Sequence, residues 1–229
     1  MKNTKLVATL GAVALVAAVG LGSTLAYLSD NAGPVTNTFT LSKVTFDKEL
    51  QGGLAEQEVI LDENGKYVHG DADGNERIDW VTSINYAKVT PNETVEKNPT
   101  AFIGKDSEPA YLFVRVSQSA DFSNINMSED FKKVADIKDD NGKVVAIDYV
   151  YNGNDGIAAP TVVEKEDGTT ETTHTAYEIF DKVTIAANLD SKHATDLDAI
   201  TVKAALIQAE GFDNADAAYA QAASLLAQD

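Results

Sequence analysis

The clearest ligand-like spacing in the chain is Asp71-Ala72-Asp73-Gly74-Asn75-Glu76-Arg77-Ile78-Asp79. Oxygen-bearing side chains at alternate positions let a loop wrap a hard cation such as calcium. Asp71, Asp73, Asn75 and Asp79 fill the first, third, fifth and ninth places of an EF-hand-like loop. Two positions depart from that pattern. Gly74 falls at the fourth place instead of the sixth, and Thr82 stands where a bidentate glutamate belongs. The same residues also suit a polar Asp-Gly turn between strands. Calcium is therefore the one cofactor that the sequence raises, and nothing in the sequence requires it.

Other chemistries find less support. A thermolysin-like zinc site needs two histidines four apart on a helix, with a glutamate beside the first. His69, His174 and His193 are each isolated, and no His-Glu-x-x-His is present. A serine nucleophile elbow, Gly-x-Ser-x-Gly, is absent. Carboxylate pairs for glycoside hydrolysis have no specificity in a chain with 36 acidic residues. Trp80, Tyr86, Tyr149 and Tyr151 would suit a sugar-binding platform, and equally a half-buried strand surface. No catalytic residue is expected.

Composition narrows the classes further. The 229 residues contain no cysteine, which excludes disulfides, thiolate metal sites and a cysteine nucleophile. Lys2 and Lys5 precede an apolar or small run from Leu6 to Leu21, and Ser23-Thr24-Leu25-Ala26 follows. A basic start, a short apolar core and a small residue at the end describe a secretory signal peptide, residues 1–26. The run is shorter than the ~20 residues of a spanning helix. Cleavage after Ala26, or within two residues of it, leaves one domain, 27–229, large enough to bury roughly 70% of its unfolded surface. Loss of the two lysines takes the formal charge from −18 to −20. Such a chain repels nucleic acid and anionic membranes. No Leu-Pro-x-Thr-Gly-like signal and no apolar tail occur near Ala227-Gln228-Asp229. Neither wall attachment nor a membrane anchor is expected after cleavage.

Strand signals dominate the body. Val35 to Phe46 alternates Val35, Asn37, Phe39, Leu41 and Lys43 with Thr36, Thr38, Thr40, Ser42 and Val44. Further strands are expected at Gln57–Leu61, Lys66–Val68, Ala87–Thr90, Tyr111–Val116, Val144–Tyr151, Thr161–Glu164, Glu171–Thr175, Tyr177–Ile185 and Ile200–Glu210. Turns are expected at Asp62-Glu63-Asn64-Gly65, Asp139-Asp140-Asn141-Gly142 and Glu166-Asp167-Gly168. Ser128–Val134 reads as a helical turn, with Phe131 and Val134 three apart. Asn214–Gln228 is alanine-rich and reads as a C-terminal helix capped by Asp213 or Asn214. Many short strands joined by turns predict an all-β sandwich or barrel.

Three stretches stand out: Ala26-Tyr27-Leu28-Ser29-Asp30 with Thr36 to Val44, then Pro91-Asn92-Glu93 to Lys97-Asn98-Pro99 before Tyr111-Leu112-Phe113-Val114-Arg115-Val116, and finally Ile200 to Phe212. Together they resemble the TasA/camelysin family of secreted Gram-positive proteins. Residues 48–86 and 118–176 carry no likeness. The resemblance implies export through a SipW-type signal peptidase, a jelly-roll sandwich, and assembly into extracellular or biofilm-matrix fibres. Camelysin-like relatives have also been described as metallopeptidases, so that activity is the enzymatic alternative; a calcium-dependent adhesin is another.

Physics offers a mechanism for such fibres. A β-prone segment at about 27–46, tethered only at its C-terminal end, can pair with the open sheet edge of another copy. Val35, Phe39, Leu41 and Val44 would be the side chains it buries. The expected partners are copies of this chain or related matrix proteins. The opposite outcome is a strand that folds back into its own sheet.

Overall fold

The computed structural model describes residues 29–32, 44–87, 89–189 and 197–228. The signal peptide and the expected donor residues Val35, Phe39 and Leu41 lie outside the described residues. In chain order the first strands are β1 (Ser29–Ala32), β2 (Leu54–Gln57), β3 (Val59–Leu61), β4 (Tyr67–His69), β5 (Trp80–Val81) and β6 (Thr94–Glu96). The middle of the chain gives β7 (Thr100–Ile103), β8 (Ala110–Ser117), β9 (Phe122–Met127), β10 (Phe131–Lys138) and β11 (Val144–Tyr151). The rest are β12 (Thr161–Glu164), β13 (Thr170–Thr173), β14 (Thr175–Glu178), β15 (Phe180–Ile185) and β16 (Val202–Gln208), followed by helix α1 (Ala215–Leu226).

The fold is an all-β sandwich with a C-terminal helix. One layer is an antiparallel sheet in the order β1-β16-β8-β11-β10. Facing it are a four-stranded sheet, β14-β7-β2-β5, and a three-stranded one, β6-β15-β9. Hairpins β3-β4 and β12-β13 form separate two-stranded sheets, the first packing Tyr67 into the sandwich core. Strand β8 explains the layering. Leu112, Val114 and Val116 point into the core between the sheets, with Ala101, Ile103, Phe180 and Val183 opposite. Tyr111 and Phe113 point the other way, with Ala205 and Ile207, against Ala215, Ala218, Ala222 and Leu226 of α1. A strand buried on both faces needs a nearly continuous apolar run, and Tyr-Leu-Phe-Val supplies it.

The helix faces the sheet with a stripe of small residues ending in a leucine, at the spacing that keeps one side inward. Asn214 is its N-cap: the side-chain oxygen accepts from Ala217 N at 3.0 Å. The expected helix at 214–228 is thus present.

The hairpin turns follow their sequence signals. Asp62 Oδ1 accepts from Asn64 N and Lys66 N, and Asp139 Oδ1 accepts from Asn141 N and Lys143 N. Gly65 and Gly142 take φ of 75° and 80°, which their side-chain-free backbones allow.

Three local expectations are corrected. Ser128–Val134 is not helical: Ser128 closes a turn and Phe131 opens β10. Residues three apart share a face on a helix but take opposite faces on a strand. Phe131 accordingly packs in the sandwich core and Val134 on the helix side. The eight-residue partner β11 overrides the local helical signal. The segment Tyr177–Ile185 is two strands in different sheets, β14 beside β7 and β15 beside β9. They part at Ile179, fully buried, whose N–H donates to Pro99 O. Finally, the described residues of 87–90 form no strand.

Val44 and Phe46 are core residues. Val44 is fully buried, and Phe46 bridges Ile103. Gly53 (φ 93°) lies against Phe46 so closely that a Cβ there would sit 2.2 Å from the Phe46 Cβ. The chain is therefore anchored in its own sandwich from Val44 onward.

Candidate functional site

The acidic loop is built by its own backbone. Asp71 accepts from Gly74 N at 2.6 Å, from Asn75 N at 3.1 Å and from Glu76 N at 2.6 Å. Burial pushes the Asp71 carboxyl upward, but these hydrogen bonds outweigh it and hold the group below the usual carboxylate range. Asp73 accepts from Asn75 N, and Asn75 Oδ1 accepts from Arg77 N. Asn75 Nδ2 donates to Asp79 Oδ2 at 2.8 Å.

Asn75 and Asp79 are thus tied to each other. Asp71 and Asp73 converge instead with Glu58: the three carboxylates lie within 4.8 Å of one another. Glu58 follows β2 directly, is nearly buried, and accepts through Oε1 from Ala72 N and Asp79 N. This arrangement can hold a hard cation with three carboxylate oxygens. Glu58 was not legible as a ligand in the sequence, because it lies thirteen positions before Asp71 and reaches the loop only through the fold.

No imidazole joins a ligand cluster among the described residues. His69 lies 4.0 Å from Glu96, and His174 lies 3.3 Å from Asp47. His193 lies outside the described residues. The four candidate platform aromatics are dispersed. Trp80 meets Phe102 edge-on, Tyr86 donates to Glu96 O, and Tyr151 packs on Tyr177. Burial pushes the Tyr86 phenol far up, so it stays a neutral donor. Tyr149 lines a crevice with Gln118, Ser119 and Asn124.

The second feature is the sheet edge at β16. Its inner side pairs with β8 along its whole length, Val202 opposite Val116 through Gln208 opposite Ala110. Among the described residues its outer side pairs with β1, Ser29 opposite Ile207 through Ala32 opposite Ala204. Ala204, Ala205, Leu206 and Ile207 are themselves fully buried. The opposite edge, β10, carries exposed Lys132, Lys133 and Lys138 and two register shifts. Lysines and bulges are how edge strands discourage further pairing. The two edges of this sheet are therefore unequal: β10 has three exposed lysines and two register shifts, while β16 has Lys203 alone and, among the described residues, is covered by the four residues of β1.

Among the described residues no helix is long and apolar enough to cross a membrane. Comparison with protein-family models, with curated proteins and with solved structures gave no match for this chain.

Proposed function

We propose that this chain is a secreted structural protein of the bacterial surface or biofilm matrix, assembling by exchange of its amino-terminal strand between copies. One observation carries the reading: the β16 edge is paired by β1, a strand that lies before the anchored body and, among the described residues, pairs through four positions. Residues 33–43 separate β1 from Val44. At ~3.3–3.6 Å per extended residue, that connection can reach about 35–40 Å. It is long enough to deliver β1, or the Thr-rich segment behind it, to a neighbouring sheet.

The backbone hydrogen bonds are the same whether the donor strand comes from the chain itself or from another copy. Ser29, Asp30, Asn31 and Ala32 are poor strand formers, so the self-pairing is weak. Transfer to a neighbour makes a heterologous contact that does not close, and such contacts build filaments. The TasA/camelysin likeness, with its jelly-roll path and fibre-forming relatives, points the same way. It also implies cleavage by a signal peptidase near Tyr27, after which the extended segment is free to pair.

Electron microscopy tests this with protein beginning at Tyr27 beside protein beginning at Lys43. The second start keeps Val44 and Phe46, which the core needs. Filaments are expected from the first and monomers from the second; equal behaviour of the two would overturn strand exchange.

A second reading, a calcium-dependent adhesin or ligand-binding module, is favoured by the convergence of Glu58, Asp71 and Asp73. Calcium at a hundredfold excess over its dissociation constant would then raise Tm by about 5–10 °C. Asp73→Ala is expected to remove that rise. An unchanged melting curve for the unsubstituted protein sinks this reading.

A further inference from the structure

We propose that the crevice between the two layers, at the end of β8, binds one uncharged sugar ring. The crevice has a volume of about 210 Å³. That is below the ~300–1,000 Å³ of sites for drug-sized ligands, and suits a single ring. Its walls come from Gln118 and Ser119 just after β8, from Phe122–Ile125 of β9 and from Tyr149 of β11. None belongs to β1 or β16, so the site is independent of strand exchange.

The lining is unusual for this chain. With 18 basic and 36 acidic residues in 229, charge is abundant, yet no lining residue is charged. Gln118 and Asn124 contribute amides, Ser119 and Ser123 hydroxyls, and Phe122 and Tyr149 aromatic rings. Amides and hydroxyls each offer both donors and acceptors, as a polyol does. Phe122 and Tyr149 pack against the sandwich core, and most of the wall that solvent reaches is polar, so a sugar would be held through its hydroxyls. A cation would find no carboxylate in the wall. An anion would find no counter-charge, and would meet Asp198 behind Ser119, where Ser119 Oγ donates to Asp198 Oδ2 at 2.7 Å.

Part of the lining is already fixed and part is free. Ser119 Oγ also accepts from Asp121 N, and Asp121 Oδ2 accepts from Asp198 N, which holds that wall in place. Gln118 Nε2 donates to Val116 O at 3.4 Å and to Ser117 O at 3.1 Å, so its amide hydrogens are spent on the backbone and its carbonyl oxygen is the group it can offer. Among the described residues the Asn124 amide and the Tyr149 phenol make no side-chain hydrogen bond. Burial first, then the nearby Asp136, pushes the Tyr149 phenol up, so its O–H remains a donor. These unspent groups exchange water for sugar hydroxyls at little net gain each. A dissociation constant near about 1 mM for a single ring is the expectation.

Amide-resolved NMR titration tests the site with methyl glucoside, galactose and N-acetylglucosamine, and with glucuronate and glucosamine as charged controls. Saturable shifts confined to residues 117–125 and 146–150 are expected from at least one neutral probe and from neither charged one. Asn124→Ala, at an exposed strand position, and Tyr149→Phe are each expected to weaken binding severalfold; Tyr149→Ala should weaken it tenfold or more. Repeating the titration with a neutral oligosaccharide of the same ring separates sources: tighter binding than the monomer assigns the crevice to a polysaccharide chain, equal binding to a free sugar. Absence of saturation with every neutral probe overturns the proposal. So do equal shifts with glucuronate, or unchanged binding in Asn124→Ala and Tyr149→Phe together.

Discussion

Arg115→Leu is expected to destabilise the protein by about 3–5 kcal/mol, because it strands a buried carboxylate. Asp148 is fully buried in the middle of β11. Arg115 on β8 grips it with two parallel bonds, Nε to Oδ1 at 2.7 Å and Nη2 to Oδ2 at 2.8 Å. Tyr219 of α1 donates to Oδ2 at 2.7 Å. The third nitrogen, Arg115 Nη1, donates to Leu226 O in the last turn of α1. A guanidinium at a helix C-terminus also complements the helix dipole. One arginine thus neutralises the carboxylate and ties the helix to the sheet. Folding stabilities lie at ~5–15 kcal/mol, so the loss is a large fraction of the whole. The measurement is the urea midpoint, with the slope checked to show that unfolding stays two-state.

The pair also predicts its own rescue. Replacing both partners, Arg115→Met with Asp148→Leu, removes the charge and its desolvation penalty together, and is expected to recover most of the loss. A double variant no better than Arg115→Leu alone would show that the guanidinium acts through the helix terminus and not through Asp148. The alkaline limb gives a further readout. Burial, then the Asp148 carboxylate, pushes the Tyr219 phenol up to about 12. The unfolded phenol titrates near ~10. The folded state therefore binds the proton more tightly, and this contribution is complete below pH ~10 and lost as pH rises toward ~12. Tyr219→Phe is expected to flatten that limb of the Tm profile.

How far the sequence speaks depends on how local each cause is. Strand β8 was legible because its apolar run meets two cores, and the hairpins at Asn64-Gly65 and Asn141-Gly142 were legible because a turn carries its chemistry in four residues. Asn214 was legible as a cap for the same reason. The failures are all long-range. Phe131 and Val134 look helical until β11 is placed beside them. The break at Ile179 depends on Pro99, eighty residues earlier in the chain. Glu58 joins Asp71 and Asp73 only because β2 delivers it there. The Arg115–Asp148 pair did leave a trace: each is a lone charge inside an otherwise apolar strand. Such a residue needs a partner, but the sequence does not say which.

The largest functional effect should come from tying the amino-terminal strand to its own sheet. Ala32 stands opposite Ala204, and the chain has no other cysteine to interfere. Directly opposed residues on antiparallel strands have Cα atoms ~4.5–5.5 Å apart, within the range a disulfide spans. Ala32→Cys with Ala204→Cys is expected to close an intramolecular bridge on oxidation and to abolish filaments. Reduction should restore them, since the two added sulfurs alone change little volume. The single variants give the complementary result. Mixed during assembly and then oxidised, Ala32→Cys and Ala204→Cys protein should form covalent dimers, because an exchanged strand places one copy's residue 32 against another's residue 204. Filaments that persist in the oxidised double variant, or mixed filaments that give no cross-linked dimer, would mean that β1 stays home and that assembly uses another surface. The backbone bonds on β16 are identical in both arrangements; only the covalent tie distinguishes whose strand makes them.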